Sequence, residues 1–165
     1  MRKIVGPLLL LLMVSACTSL DCTVADPISI RYGFYDADSE EETSVALTDT
    51  LTIQIRKGLE RDTTLVNRAI NKTQVAVPVS YTREYDKLVF KFKSEHNIEA
   101  VDTLYVYKND IAHFESVDCN PVYFHTIEDT RVVPGLVIKE VRIKQPNVTY
   151  DATTEHIQLF IKALE

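Results

Sequence analysis

The chain has 165 residues, enough for one domain with a full core and too few for two of ordinary size once its N-terminal segment is set aside. Its 24 acidic and 18 basic side chains give a net charge of −6, and loss of residues 1 to 16, with Arg2 and Lys3, takes the remainder to about −8. Such a body carries no electrostatic footprint for a phosphate backbone, which argues against a nucleic-acid partner.

In chain order, Met1-Arg2-Lys3 is a positive start, Ile4 to Val14 is almost entirely apolar, and Val14-Ser15-Ala16-Cys17 sets small residues before a cysteine. These are the three parts of a secretory signal. The apolar run is too short for a membrane-spanning helix, which needs about 20 residues, so cleavage is expected rather than a permanent span. Leu12-Met13-Val14-Ser15-Ala16-Cys17 resembles the lipobox of bacterial lipoproteins. The resemblance implies cleavage ahead of Cys17 and lipid on its thiol, with ordinary cleavage that leaves Cys17 free as the alternative. Residues 1–16 are then a lipoprotein signal peptide, 17–26 a lipidated tether and 27–165 a single domain. Membrane lipid, held through Cys17, is the first expected partner. The outer membrane is the expected location, with periplasmic and surface-facing orientations both open.

If Cys17 carries lipid, Cys22 and Cys119 remain as an even pair in an oxidising compartment, which points to a disulfide between them. Two separate cysteines are the other reading at so long a spacing. No CxxC pair is present for zinc or dithiol exchange.

Ile28, Ile30, Tyr32 and Phe34 alternate along a first strand, and Asp36-Ala37-Asp38-Ser39-Glu40-Glu41-Glu42 interrupts it with a charged loop. Leu51, Ile53 and Ile55 mark the next strand. Val75, Val77 and Val79 follow, and Pro78 among them predicts an edge or bulged strand. Leu88, Phe90 and Phe92 alternate with lysines, the pattern of a half-buried strand. Leu104 and Val106 oppose Thr103, Tyr105 and Tyr107, which suggests a central strand. Lys108-Asn109-Asp110 reads as a tight turn into Ile111 to Val117. After Pro121 comes Val122 to Ile127, then a turn at Pro134-Gly135. From Leu136 to Ile143 the apolar phase slips by one residue, as a bulge would make it do. Ile157, Leu159 and Ile161 form a last strand. Eight or nine short strands without a helical stripe predict an all-β fold: an antiparallel β-sandwich, immunoglobulin-like in general architecture, with a small β-barrel as the alternative.

The sequence shows little chemistry. Asp36, Asp38 and Glu40 are the best metal candidates, because calcium takes several converging oxygens. They lack the order and the glycine of a calcium loop, so a solvated turn is expected and no metal or cofactor is assigned. His96, His113, His125 and His156 are widely spaced. His125 lies near Glu128 and Asp129, but the alternation of a strand works against a simple His125–Glu128 dyad. No nucleophile elbow or phosphate loop occurs, so no catalytic residue is assigned and an enzyme is not expected. Eight tyrosines offer interface area or, more simply, cross-strand packing. Asp49-Thr50-Leu51, Asp62-Thr63-Thr64 and Asp102-Thr103-Leu104 are similar to the short acceptors for O-glycans in exported Bacteroidota proteins.

The lipobox, the early Cys22, Asp49-Thr50-Leu51, Asp102-Thr103-Leu104-Tyr105-Val106, Cys119 before an aromatic segment and Ile143 to Tyr150 together resemble small Bacteroidota lipoproteins of unknown function. The resemblance implies an envelope location, a β-rich body, a Cys22–Cys119 bridge and no catalytic residues. The expected function is that of a noncatalytic binding or accessory component of an envelope assembly, with an envelope protein as partner. A glycan or small-ligand binding lipoprotein is the alternative, and an envelope enzyme ranks third.

Overall fold

The computed structural model describes residues 27–56 and 62–164, so the expected signal peptide and the whole expected tether, with Cys17 and Cys22, lie outside the described residues. Ten strands follow in chain order: β1 (Ser29–Asp36), β2 (Thr50–Ile55), β3 (Thr63–Ala69), β4 (Gln74–Pro78), β5 (Tyr85–Lys93), β6 (Glu99–His113), β7 (Val122–Val133), β8 (Ile138–Ile143), β9 (Asn147–Val148) and β10 (Ile157–Ile161). They form two sheets, one of four strands in the order β4-β1-β10-β8 and one of six in the order β3-β2-β5-β6-β7-β9.

The core follows from the period of two in the sequence. Ile30, Tyr32 and Phe34 of β1 meet Leu51 and Ile53 of β2, Leu88, Phe90 and Phe92 of β5, and Leu104 and Val106 of β6 in one buried cluster. Each such side chain contributes about 1.5 to 3 kcal/mol when fully removed from water. Between the sheets, the Tyr32 and Phe90 rings meet edge to face at 6.1 Å.

Two expectations need correction. The fold is all-β but not wholly antiparallel, because β1 pairs in parallel with β10 from Tyr32↔Ile157 to Asp36↔Ile161. A parallel pair needs a long connection, and the whole intervening chain supplies it. Strand β10 is buried on both faces, which explains its near-continuous apolar run: Ile157, Leu159 and Ile161 face the core, while Phe160 is covered by Tyr35 at 5.5 Å and Arg142 at 4.2 Å.

The second correction concerns Lys108-Asn109-Asp110, which form no turn. Strand β6 runs through them to His113 and pairs along its length with β7. Lys108 and Asp110 are tolerated mid-strand because they bond to each other and to groups behind them.

The cysteine expectation is met in part: Cys119, before β7, is disulfide-bonded, and Cys22, its expected partner, lies outside the described residues.

Other local features match the sequence. Pro78 ends β4, an edge strand, where a missing N–H is tolerated. The phase slip after Ile138 is a bulge: Phe160 faces Glu140 and Ile161 faces Ile138, which leaves Lys139 as the extra residue. At the Pro134-Gly135 turn, Gly135 takes a φ of +83°, a conformation that favours glycine.

That turn is held by Asp102, whose side chain is fully buried. One carboxylate oxygen accepts the Gly135 and Leu136 N–H groups at 3.0 and 2.7 Å, and the other accepts those of Val137 and Ile138, both at 2.8 Å. Asp49 is buried too, and its carboxylate accepts the Leu164 N–H at 2.9 Å. Both Asp-Thr-Leu motifs thus place their aspartate in a load on the backbone, tying β6 to the β7–β8 turn and β2 to the C-terminal segment.

Candidate functional site

A group of charged side chains closes one end of the core. It forms on the inward face of β5, β6 and β7, where Asp86, Lys108, Asp110 and His125 continue the rows that are apolar further along. Lys108 Nζ, fully buried, donates to Asp110 Oδ1 at 2.6 Å and to the Arg83 carbonyl at 2.9 Å. The same Asp110 oxygen lies 2.7 Å from His125 Nδ1. The Lys108 backbone N–H donates to the Glu84 carbonyl at 3.1 Å, so two bonds lay the 81–84 loop across β6.

The electrostatics follow from burial. Desolvation pushes His125 below the usual histidine range, Asp110 opposes the shift through its hydrogen bond and charge, and Lys108 reinforces it. Asp86 is pushed up, first by desolvation, although the Ser80 N–H, Lys108 and Arg83 all favour its charged form. Tyr32 is raised by its own burial and then by the charge of Asp86. Ser80 Oγ, Arg83 Nη1 and Asp86 Oδ1 are buried and make no hydrogen bond. In front of this group an open cleft of about 350 Å³ is lined by Tyr81, Arg83, Glu84, Lys108, Asn109 and Asp110, among others. The Tyr81 ring lies flat against Tyr123, with centroids 4.9 Å apart and planes 5° from parallel.

Further along, the β6–β7 hairpin continues past the point where β9 pairs with His125 and Thr126. At its tip His113 stacks on Phe124 at 4.5 Å, and Tyr150 meets Phe124 edge-on at 5.1 Å. Around them Ile111 is 51% exposed, Phe114 63% and Val117 97%. These are large apolar side chains without cover, near one another in the chain at the end of the hairpin. Glu115, which accepts from the Tyr150 hydroxyl at 2.8 Å, and Asp118 give the tip an acidic rim.

The acidic loop behaves as a turn. Asp36 accepts the Asp38 N–H at 2.9 Å, Asp38 pairs with Lys162 at 3.0 Å and Glu42 with Arg142 at 2.8 Å. Asp36, Asp38 and Glu40 are not gathered into a metal site, and no group of three potential ligands occurs among the described residues. Of the histidines, His96 is an exposed turn residue, His113 belongs to the aromatic tip, and His156 is buried and accepts the Arg31 N–H on Nδ1 at 3.1 Å. His125 has an acidic partner, but it is Asp110 and not Glu128. Register along β6 and β7 makes that pairing, so no local spacing in the sequence could signal it.

The tyrosines divide by role. Tyr32 and Tyr35 pack in the body, and Tyr85, Tyr105 and Tyr107 form a cross-strand cluster over which Arg131 and Lys87 lie at 4.8 and 5.4 Å from the Tyr105 ring. Tyr81, Tyr123 and Tyr150 belong to the cleft and the tip. No described helix is long and apolar enough to cross a membrane.

Residues 50–161 match DUF6452, a family of unknown function. The chain belongs to this family. The DUF6452 match begins with the first residue of β2 and ends with the last of β10, so it contains the charged group, the cleft and the hairpin tip. It omits β1, although β1 lies between β4 and β10 in the smaller sheet. No curated protein and no solved structure matches the chain.

Proposed function

We propose that this DUF6452 protein is a noncatalytic binding component of the bacterial envelope, anchored to the outer membrane by lipid on Cys17 and docked to an envelope protein through the β6–β7 tip. The observation that carries the reading is the exposure of Ile111, Phe114 and Val117 together, beside the half-covered Phe124 and Tyr150. Large apolar side chains grouped at one end of a strand pair favour a partner that removes them from water. Glu115 and Asp118 suit a partner surface whose apolar centre is bordered by lysine or arginine. The lipobox-like Leu12 to Cys17 supports the anchor, and the resemblance to small Bacteroidota lipoproteins supports the location. The two sheets are read as the layers of a β-sandwich, for which the Tyr32–Phe90 contact is the support.

The test is crosslinking in intact cells followed by capture of the lipidated protein, with Ile111→Asp and Phe114→Asp as variants. Both side chains are exposed, so thermal unfolding should be unchanged while capture of the partner is lost. Equal capture by wild type and variants refutes the docking surface. Cys17→Ala should leave the membrane fraction, and its retention there refutes the anchor.

A further inference from the structure

The cleft beside the charged group lies apart from the hairpin tip and has its own chemistry. Tyr81 is 61% exposed, yet its ring is held flat by Tyr123 behind it. A pre-positioned aromatic face of this kind offers stacking area without the entropy of ordering a free side chain. The floor is fixed as well, since Lys108 bonds to the loop that carries Tyr81 through both its backbone N–H and its Nζ.

Charge narrows the ligand class. Arg83 lines the cleft together with Glu84 and Asp110, so a strongly anionic ligand meets two carboxylates, while a strongly cationic one meets Arg83 and an Asp110 already paired with the buried Lys108. Asn109 adds an amide that both donates and accepts. Groups that donate and accept at once, beside a planar ring, match hydroxyls carried on an apolar ring face.

From this geometry we infer that the Tyr81 cleft binds a neutral saccharide, with one sugar face on the Tyr81 ring and its hydroxyls shared among Arg83, Asn109 and Asp110. The site is distinct from the docking surface proposed above and does not depend on it.

The experiment is amide NMR of the lipidated protein in a phosphocholine detergent, which contains no sugar, titrated with cellotetraose, maltotetraose and chitotetraose. Inorganic phosphate and spermidine serve as the anionic and cationic comparisons. At least one neutral oligosaccharide should give saturable shifts confined to residues 81–84 and 108–110. Tyr81→Ala should weaken that binding about three- to tenfold, the scale of one aromatic contact. Tyr81→Phe should keep it, and Phe114→Asp should leave it unchanged. The inference is overturned if none of the three sugars gives saturable shifts there, if phosphate or spermidine does so in their place, or if Tyr81→Ala binds as tightly as wild type.

Discussion

Removing the Asp102 carboxylate strands a row of backbone donors, and the four are not equivalent. Hydrogen bonds to a charged group are worth about 1.5 to 3 kcal/mol each, but water can replace the acceptor wherever it can reach. Leu136 is exposed and Gly135 half-buried, so their N–H groups can be hydrated after a substitution. Val137 and Ile138 are buried, and theirs cannot. Each stranded buried donor costs about 1 to 3 kcal/mol, so Asp102→Ala should lose roughly 3 to 5 kcal/mol in all. Asn can turn its remaining oxygen toward the Val137 and Ile138 pair and place its NH₂ against the pair that water reaches, for a loss of roughly 2 kcal/mol. Against a total stability of about 5 to 15 kcal/mol both effects are large. Urea unfolding followed by circular dichroism should show the midpoint falling in the order wild type, Asn, Ala with the slope unchanged. Hydrogen exchange should accelerate at Val137 and Ile138 in the Ala variant. An Ala variant within about 1 kcal/mol of wild type, or an Asn variant as unstable as Ala, would refute the unequal roles of the two oxygens.

Two further predictions concern the charged group. Asp110→Ala leaves the fully buried Lys108 ammonium without its anion and should cost about 3 kcal/mol, whereas Lys108→Met should stay within about 2 kcal/mol of wild type because Asp110 can still be hydrated; chemical unfolding that ranks Lys108→Met as the worse variant contradicts the assignment. Stability should also fall between pH 7.5 and pH 5.5. Burial lowers the pKa of both His125 and His156, with Arg31 adding to the shift at His156, so below the ordinary histidine value the unfolded chain binds protons that the folded one refuses. Their contribution is complete above about pH 6.5 and is lost as the pH drops toward the depressed folded values. Asp86, raised by burial, has the opposite sign, and Asp86→Asn should therefore steepen the acid-side loss. A urea midpoint that is flat or rises on acidification refutes the histidine account.

The body of the fold was legible because alternation carries it. Leu51, Ile53 and Ile55, or Leu88, Phe90 and Phe92, show which face meets the core in the sequence itself, and Pro78 marks an edge by chemistry alone. The slip at Lys139 was readable because a bulge shifts the phase of every residue after it. Strand β3 was not legible: Thr63 to Ala69 lie mostly exposed or half-buried on a sheet edge, and Arg68 takes a φ of +51°. Without a buried face, no period of two is imposed on such a segment. The parallel β1–β10 pair was equally hidden. Alternation tells which way a side chain faces but not which strand lies beside it, and here the neighbour is more than a hundred residues away.

The site was the least legible part, and strand length explains why. Strand β6 has 15 residues and β1, the longest strand of the smaller sheet, eight, which at about 3.4 Å per residue makes β6 roughly 50 Å long against about 27 Å. The smaller sheet therefore cannot cover the far half of the β6–β7 hairpin. Where cover ends, the inward row changes from Leu104 and Val106 to Lys108 and Asp110. These polar residues look like a turn in the sequence, but in the fold they are the row nearest the opening, satisfied by His125 and the carbonyl of Arg83. One inward pair beyond, Tyr123 takes its cover from the Tyr81 loop, while on the opposite face of the hairpin His113, Phe124 and Tyr150 cover one another. The cleft thus forms where the inward row of the hairpin runs past its cover. Truncating Tyr123 to Ala should therefore loosen the Tyr81 ring, seen as faster amide exchange at residues 81–84, while the tip on the opposite face and the core around Phe90 stay intact.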